Sequence, residues 1–373
     1  MKIPEMEYFG YALPAVILFI VGLHISAGKL KGEVLNQKAI QTFVDHAGNL
    51  PFIFIGIGFL ASVVSIFFST NLGFVFTLLA SFKFIGAFML IYGGKQLKNS
   101  VLIMVFGSIV VSSLQKAMFH DLLTWLIMIG AVVAIKYKPN IRIKAVVAVA
   151  FILMAVIIQQ LKGDYRKAAW GRGESGIETF NELYNEKQEQ KGIFNFEKLA
   201  ESNVRINQGF IITNIMNTVP EKEPFSNGGE LYLILEAAFL PRVLAPDKLK
   251  AGDRSIFMKY SKIPLRRGTS MGLSSMGDAY INFGILGGCL FMFCLGLLFS
   301  HVLNVFDKQS KIYPVLLLFT PLVFYYPMRP DCELQTSLGH LVKSCFLIFV
   351  MLKLWDYQFR TRKKNAVPEQ VLV

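Results

Sequence analysis

AVVAVAFILMAVIIQQLKGDYRK, Ala145–Lys167, decides the fold. Val146–Leu161 is apolar apart from Gln159 and Gln160; then Lys162, Asp164, Arg166 and Lys167 follow almost at once. A bilayer core about 30 Å thick takes roughly 20 apolar residues to cross as a helix, so this run reads as a membrane span ending at a polar boundary. On its N-terminal side the chain is almost continuous hydrocarbon. On its C-terminal side lies a polar interruption from about Lys162 to Gly277, which carries about half of the 25 acidic residues. Segments past about 12–15 residues are rarely mere connectors. Apolar, helix-like pieces punctuate this one, so it is expected to fold.

Composition supports the reading. Hydrophobic residues make up 54% and charged residues 17% of the chain, against about 25% charged in soluble domains. The expected fold is an all-α polytopic membrane protein, not a barrel of alternating segments of about ten residues. Nine spans are expected, near Phe9–Ala27, Leu50–Phe68, Leu72–Gly93, Val101–Leu114, Leu122–Ile135, Val146–Leu161, Tyr280–Val305, Tyr313–Tyr326 and Ser337–Trp355. This divides the chain into six spans in 1–161, a loop over 162–279, three spans in 280–356 and a basic tail over 357–373. Cys289, Cys294, Cys332 and Cys345 lack metal-like spacing and are expected to be buried packing residues. No internal repeat and no broken helix is evident.

The excess of 38 Lys and Arg over 25 acidic residues follows from topology and does not call for nucleic acid. One alternate set of short segments holds Lys29, Lys31, Lys38, Lys95, Lys98, Lys136, Lys138, Arg142, Lys144, Lys308, Lys311, Arg360, Arg362, Lys363 and Lys364; the other holds Lys2, Lys116 and Arg329. Basic short loops prefer the cytoplasm. The tail is therefore expected to be cytoplasmic and the long loop extracytoplasmic. An odd span count then puts Met1 outside, although no signal peptide precedes the first span.

Within the loop, Asn203–Val219 and Gly229–Leu240 are expected as short helices, the second interfacial or re-entrant. Lys167–Lys198 reads as a surface helix or lid. In FLPRVLAPDK, Phe239–Lys248, two prolines stiffen the backbone around Arg242. Arg266 and Arg267 precede a Gly/Ser-rich stretch leading into a span near Asp278. Guanidinium grips phosphate oxygens in pairs, and a free helix N-terminus favours an anion. A solvated turn with an internal Arg–Asp pair explains the same spacing. Asp278 reads as an N-cap before it reads as a general base. Arg205 stands with Asn207 and Gln208 on an amphipathic piece, a pattern shared with any surface helix. Lys83, His120, Asp121, Glu236, Arg329, Asp331, His340 and Lys343 lie in spans or at their edges, where charge is costly and suggests function. There is no P-loop, His-Glu-x-x-His or Gly-x-Ser-x-Gly. An enzyme outside the cytoplasm lacks nucleotide sugars and must draw energy from its own substrate.

Arg205–Gln208, Pro224–Glu230, Phe239–Arg242 with Pro246–Lys248, and Thr269–Gly284 resemble the O-antigen (Wzy-type) polymerases of bacterial envelopes. The resemblance spans roughly Arg205 to Gly288, with a weaker echo over Met118–Gly163. It implies a GT-C-like glycosyltransferase of the inner membrane that moves a glycan from undecaprenyl diphosphate to another lipid-linked repeat unit, without metal or other cofactor. It also implies a setting of membrane lipid, a flippase and a chain-length regulator. It assigns the diphosphate to Arg242 first, Arg205 second, and then Arg266 or Arg267. Lys248, Arg329, Tyr280 and Asn282 are further substrate-binding candidates; Asp278, Glu230 and His120 are candidates for activating the acceptor hydroxyl. A ligase using the same donor, and a transporter of the same lipid-linked sugars, are the alternatives.

Overall fold

The computed structural model describes residues 2–27, 36–67, 73–93, 99–191, 208–242, 244–265 and 270–360. Every regular element among them is helical. In chain order these are α1 (Glu5–Ala27), α2 (Gln37–His46), α3 (Leu50–Val64), α4 (Gly73–Ala80), α5 (Phe82–Tyr92), α6 (Asn99–Lys116), α7 (Phe119–Tyr137) and α8 (Ile141–Lys167), the last continued by a π-turn over Ala168–Arg172. Then follow α9 (Ile177–Lys191), α10 (Gln208–Met216), α11 (Gly229–Phe239), α12 (Arg254–Ser261), α13 (Ser274–Ser310), α14 (Leu316–Val323), α15 (Leu334–Leu354) and α16 (Asp356–Phe359). Local chemistry sets several starts. The Asn36 side chain accepts the Ala39 N–H, Asn140 accepts that of Ile143, and Asp253 accepts those of Ser255 and Ile256, each removing an orphan donor from a first turn.

Among the described residues, seven helical stretches are long and apolar enough to cross a membrane: Glu5–Ile25, Gly73–Tyr92, Asn99–Lys116, Phe119–Tyr137, Ile141–Arg172, Ser274–Ser310 and Leu334–Leu354. The pair α2–α3, bent by 86°, is an eighth candidate. The chain has the makeup of a multi-pass helical membrane protein. The expected span Tyr313–Tyr326 is realised differently. Pro314 and Pro321 punctuate it, Pro327 follows it directly, and α14 keeps eight residues, about 12 Å at 1.5 Å per residue.

α1 and α13 form the most extensive helix pair, and glycine makes it possible. A Cβ on Gly296 would lie 2.3 Å from the Phe19 carbonyl oxygen, and one on Gly22 would lie 2.3 Å from that of Phe293. Small residues let backbones approach this closely, the usual basis of helix association in lipid. Two corrections concern α13. It starts at Ser274, a turn before the expected Asp278, and it is broken at Gly284 (φ 66°, ψ −158°), where no break was expected. Only glycine takes that conformation freely. The Phe225 ring packs on Gly284, and the Ser226 N–H donates to the Ile281 carbonyl at 2.8 Å, so the loop fills the break. Cys289 and Cys332 are buried as expected, whereas Cys294 is exposed on α13.

Gly296→Val is expected to destabilise the detergent-solubilised protein by about 1–3 kcal/mol, the usual cost of overpacking. Gly10→Ala, on the same helix pair but with nothing within 4 Å of its Cβ, should leave the melting temperature unchanged. Thermal unfolding of the two variants checks this.

Candidate functional site

The N-termini of α7, α13 and α15 and the C-termini of α6 and α8 meet at one end of the bundle, together with α10–α12. Three groups of side chains gather there.

The first is acidic. Asp278, 5% exposed, accepts the Leu334 N–H at 2.8 Å. It thereby caps α15 from α13 instead of capping its own helix. Glu333, just before α15, accepts the Gly252 N–H at 2.6 Å and the Thr336 hydroxyl at 2.7 Å. Its Cβ also lies against Gly272. Glu333 is therefore a latch between α15 and two loop strands of chain. Asp278, Glu333, Asp253 and Gln335 line a cavity of about 20 Å³, room for a single water and none for a sugar. Nearby, Glu230 accepts the Tyr260 hydroxyl at 3.0 Å and pairs with Lys259 at 3.5 Å. Its other carboxylate oxygen is buried without a hydrogen-bond partner among the described residues.

Two candidates beside this group serve as fasteners. Asn282 donates to the Asp278 carbonyl at 2.8 Å and accepts the Leu231 N–H at 3.1 Å, pinning the start of α11 to α13. The Tyr280 hydroxyl donates to the Val219 carbonyl at 3.3 Å while its ring packs between Tyr11 and Phe225.

The second group is cationic and sits where the end of α11 meets α15. Arg242, Lys248 and Lys343 lie close enough to repel one another. Lys248 is turned inward and donates to the Ala237 carbonyl at 3.0 Å and to that of Leu240, so it caps the C-terminus of α11. Burial, then the charge of Arg242, holds its ammonium below the usual lysine range. Lys343 lies over the Phe74 ring at 4.4 Å. Among the described residues no carboxylate reaches salt-bridge distance of any of the three, although Glu236 lies within electrostatic range of Lys248. Phe239, Leu240 and Leu244 are exposed beside them.

The third group joins the start of α7 to the segment before α15. Arg329 contacts Asp331 at 3.3 Å and Asp121 at 3.9 Å, and lies over the Tyr326 ring. Asp121 accepts the Tyr325 hydroxyl at 2.9 Å, and His120 stands 3.7 Å from Asp331. Between the second and third groups sits His340, which contacts both Tyr326 and Phe74. Arg205, Arg266 and Arg267, the remaining sequence candidates, lie outside the described residues.

Glu333 escaped notice altogether; its one signal is its place after Arg329 and Asp331, at the start of an apolar span. Asp331 and Lys343 had only their place at the edge or in the depth of a span to mark them.

Residues 12–325 match a family described as a domain of unknown function, DUF8712. The chain belongs to the DUF8712 family. No curated protein and no solved structure matches it. The DUF8712 match takes in His120, Asp121, Glu230, Arg242, Lys248 and Asp278; Arg329, Asp331, Glu333 and Lys343 lie C-terminal to it.

The latch gives a pH dependence. Burial outweighs the two hydrogen bonds and raises the Glu333 carboxyl above its usual range. The folded protein therefore binds this proton more tightly than the unfolded chain. That contribution is full below an ordinary Glu pKa of about 4.3 and is lost as pH rises through the raised value. Melting temperature of wild type minus that of Glu333→Gln should fall as pH rises above about 4.3. Parallel curves for the two proteins would contradict it.

Proposed function

We propose that this DUF8712 protein is a metal-independent glycosyltransferase of the bacterial inner membrane, a polymerase of lipid-linked oligosaccharide repeats for O-antigen, capsule or exopolysaccharide. In this reading α2–α3 and α14 complete nine spans, the loop end faces outward, and the tail from residue 357 is cytoplasmic. Flippase and chain-length regulator are the expected neighbours.

The observation that supports the reading is the cluster of Arg242, Lys248 and Lys343, whose charge no described carboxylate neutralises at salt-bridge distance. Mutual repulsion of three cations costs stability unless an anion is bound for part of the working cycle. The exposed Phe239, Leu240 and Leu244 beside them suit an anion that carries a hydrocarbon chain. A lipid diphosphate has both features. Its departure from a sugar places negative charge on the bridging oxygen, which fixed cationic donors stabilise best in a water-poor place. The Arg242 guanidinium offers paired donors, Lys343 a point charge beside them; Lys248, spent on α11, adds field more than direct contact.

The break in α13 favours a second reading, a transporter of the same lipid-linked sugars, since transporters carry discontinuous helices at their binding sites. Loop residues occupy that break, however, which argues for docking of the loop over passage of substrate. A ligase would share the donor chemistry and differ in the acceptor.

Purified protein given synthetic undecaprenyl-diphosphate repeat unit should yield a ladder of longer products. Arg242→Ala should raise the KM for the donor by about 10–100-fold, the loss of hydrogen bonds to a charged group worth about 1.5–3 kcal/mol. Intact wild-type protein that elongates nothing with its cognate unit would overturn the polymerase reading; movement of the unit across proteoliposomes without elongation would favour the transporter.

A further inference from the structure

We infer that His120 and Asp331 form the acid–base pair of this site, with His120 as the base that takes the acceptor hydroxyl proton and Asp331 as its positioning residue. The inference rests on the glycosyltransferase reading and selects among three candidate bases that the sequence leaves equal.

The three differ in what they are free to do. Asp278 is closed in, and its carboxylate already holds the N-terminus of α15. Glu230 is 12% exposed on its side chain and shares one oxygen between Tyr260 and Lys259. His120 is 47% exposed, at the first turn of α7, with a carboxylate facing its Nε2. A half-open imidazole beside an orienting carboxylate is the arrangement that general-base catalysis needs.

What lies behind Asp331 strengthens the assignment. Arg329, 16% exposed, holds both Asp331 oxygens, with Nε–Oδ1 at 3.5 Å and Nη2–Oδ2 at 3.3 Å. Arg329 is itself fixed by Asp121 and by the face of Tyr326, and Asp121 by the Tyr325 hydroxyl. Tyr325 stacks on buried Trp125. The chain of contacts thus runs from the protein core to a half-exposed histidine. Charged groups facing His120 are Asp331, Asp121, Arg329 and Lys162. The Nε2–Asp331 separation of 3.7 Å is beyond a hydrogen bond, and such contacts commonly tighten once substrate is bound. Asp331 favours the tautomer with its proton on Nε2, leaving the lone pair on Nδ1, which has no partner among the described residues.

In the step, Nδ1 takes the proton of the acceptor hydroxyl as its oxygen bonds to the anomeric carbon of the donor. The bond from that carbon to the diphosphate oxygen breaks, and its electron pair leaves with the lipid diphosphate. The imidazolium then gives its proton to solvent water, which the half-exposed ring reaches, and the histidine returns to neutrality.

The test measures elongation kinetics of full-length protein with undecaprenyl-diphosphate repeat unit. His120→Gln should lower kcat by about 10²–10⁴-fold, the usual share of a general base, with the donor KM unchanged. Free imidazole should restore turnover to His120→Ala, a rescue that a structural role would not show. Asp331→Asn should lower kcat and Asp331→Glu should recover part of it, at melting temperatures equal to wild type. An active wild type alongside an equally active His120→Gln overturns the pair and leaves the polymerase reading standing. A wild type that makes no product overturns both.

Discussion

At the loop end of the bundle, several helix ends hand their orphan backbone groups to side chains of other elements, and that requirement shapes this end of the protein. The last carbonyls of α6 are taken by the end of α8: Tyr165 donates to Leu114, Trp170 to Lys116 and Arg166 to Ala117. His340 donates from α15 to the Leu322 carbonyl at 2.7 Å, in the last turn of α14. Lys248 takes the carbonyls at the end of α11, Asn282 supports its start, and Asp278 caps α15. A buried polar group left unpaired costs about 1–3 kcal/mol, and a membrane core offers no alternative donor or acceptor. These cross-element caps therefore tie the loop to the bundle more firmly than apolar contact alone would.

The same accounting separates side chains committed to backbone groups from those that are not. Asp278, Asn282, Tyr280 and Lys248 each hold a named backbone group, and their polarity is used in doing so. Arg242 and Lys343 keep charge to spare, and His120 keeps an open nitrogen. These uncommitted groups flank the His340–Tyr326 contact from two sides. In the proposed reading a donor diphosphate would sit toward α11 and an acceptor hydroxyl toward α7, with the start of α15 between them.

Much of the fold was legible because the long spans carry their own signal. Ala145–Leu161 and its counterparts are apolar over enough residues that no other placement satisfies them. The short helix of Gly229–Phe239 was also readable, from its apolar residues between Gly229 and Pro241. The limits were set by tertiary context. Pro321 within an apolar run cut the eighth expected span to α14. Gly284 looked like one more packing glycine of a membrane helix, since nothing local announces that Phe225 will press on it. Lys248 and Asp278 had the residue types of a substrate site, and only the position of α11 and α15 reveals that backbone groups claim them first. Glu333 and Lys343 were obscure for the same reason: each gains meaning from a chain segment some eighty or a hundred residues away in sequence.

The most direct measurement is native mass spectrometry of the purified protein with undecaprenyl diphosphate, and with undecaprenol as its uncharged counterpart. A diphosphate site at Arg242 and Lys343 predicts a saturable complex with the diphosphate that weakens in Arg242→Ala and in Lys343→Ala, while undecaprenol binds poorly throughout. Equal retention of the two lipids, unchanged by either substitution, would contradict it.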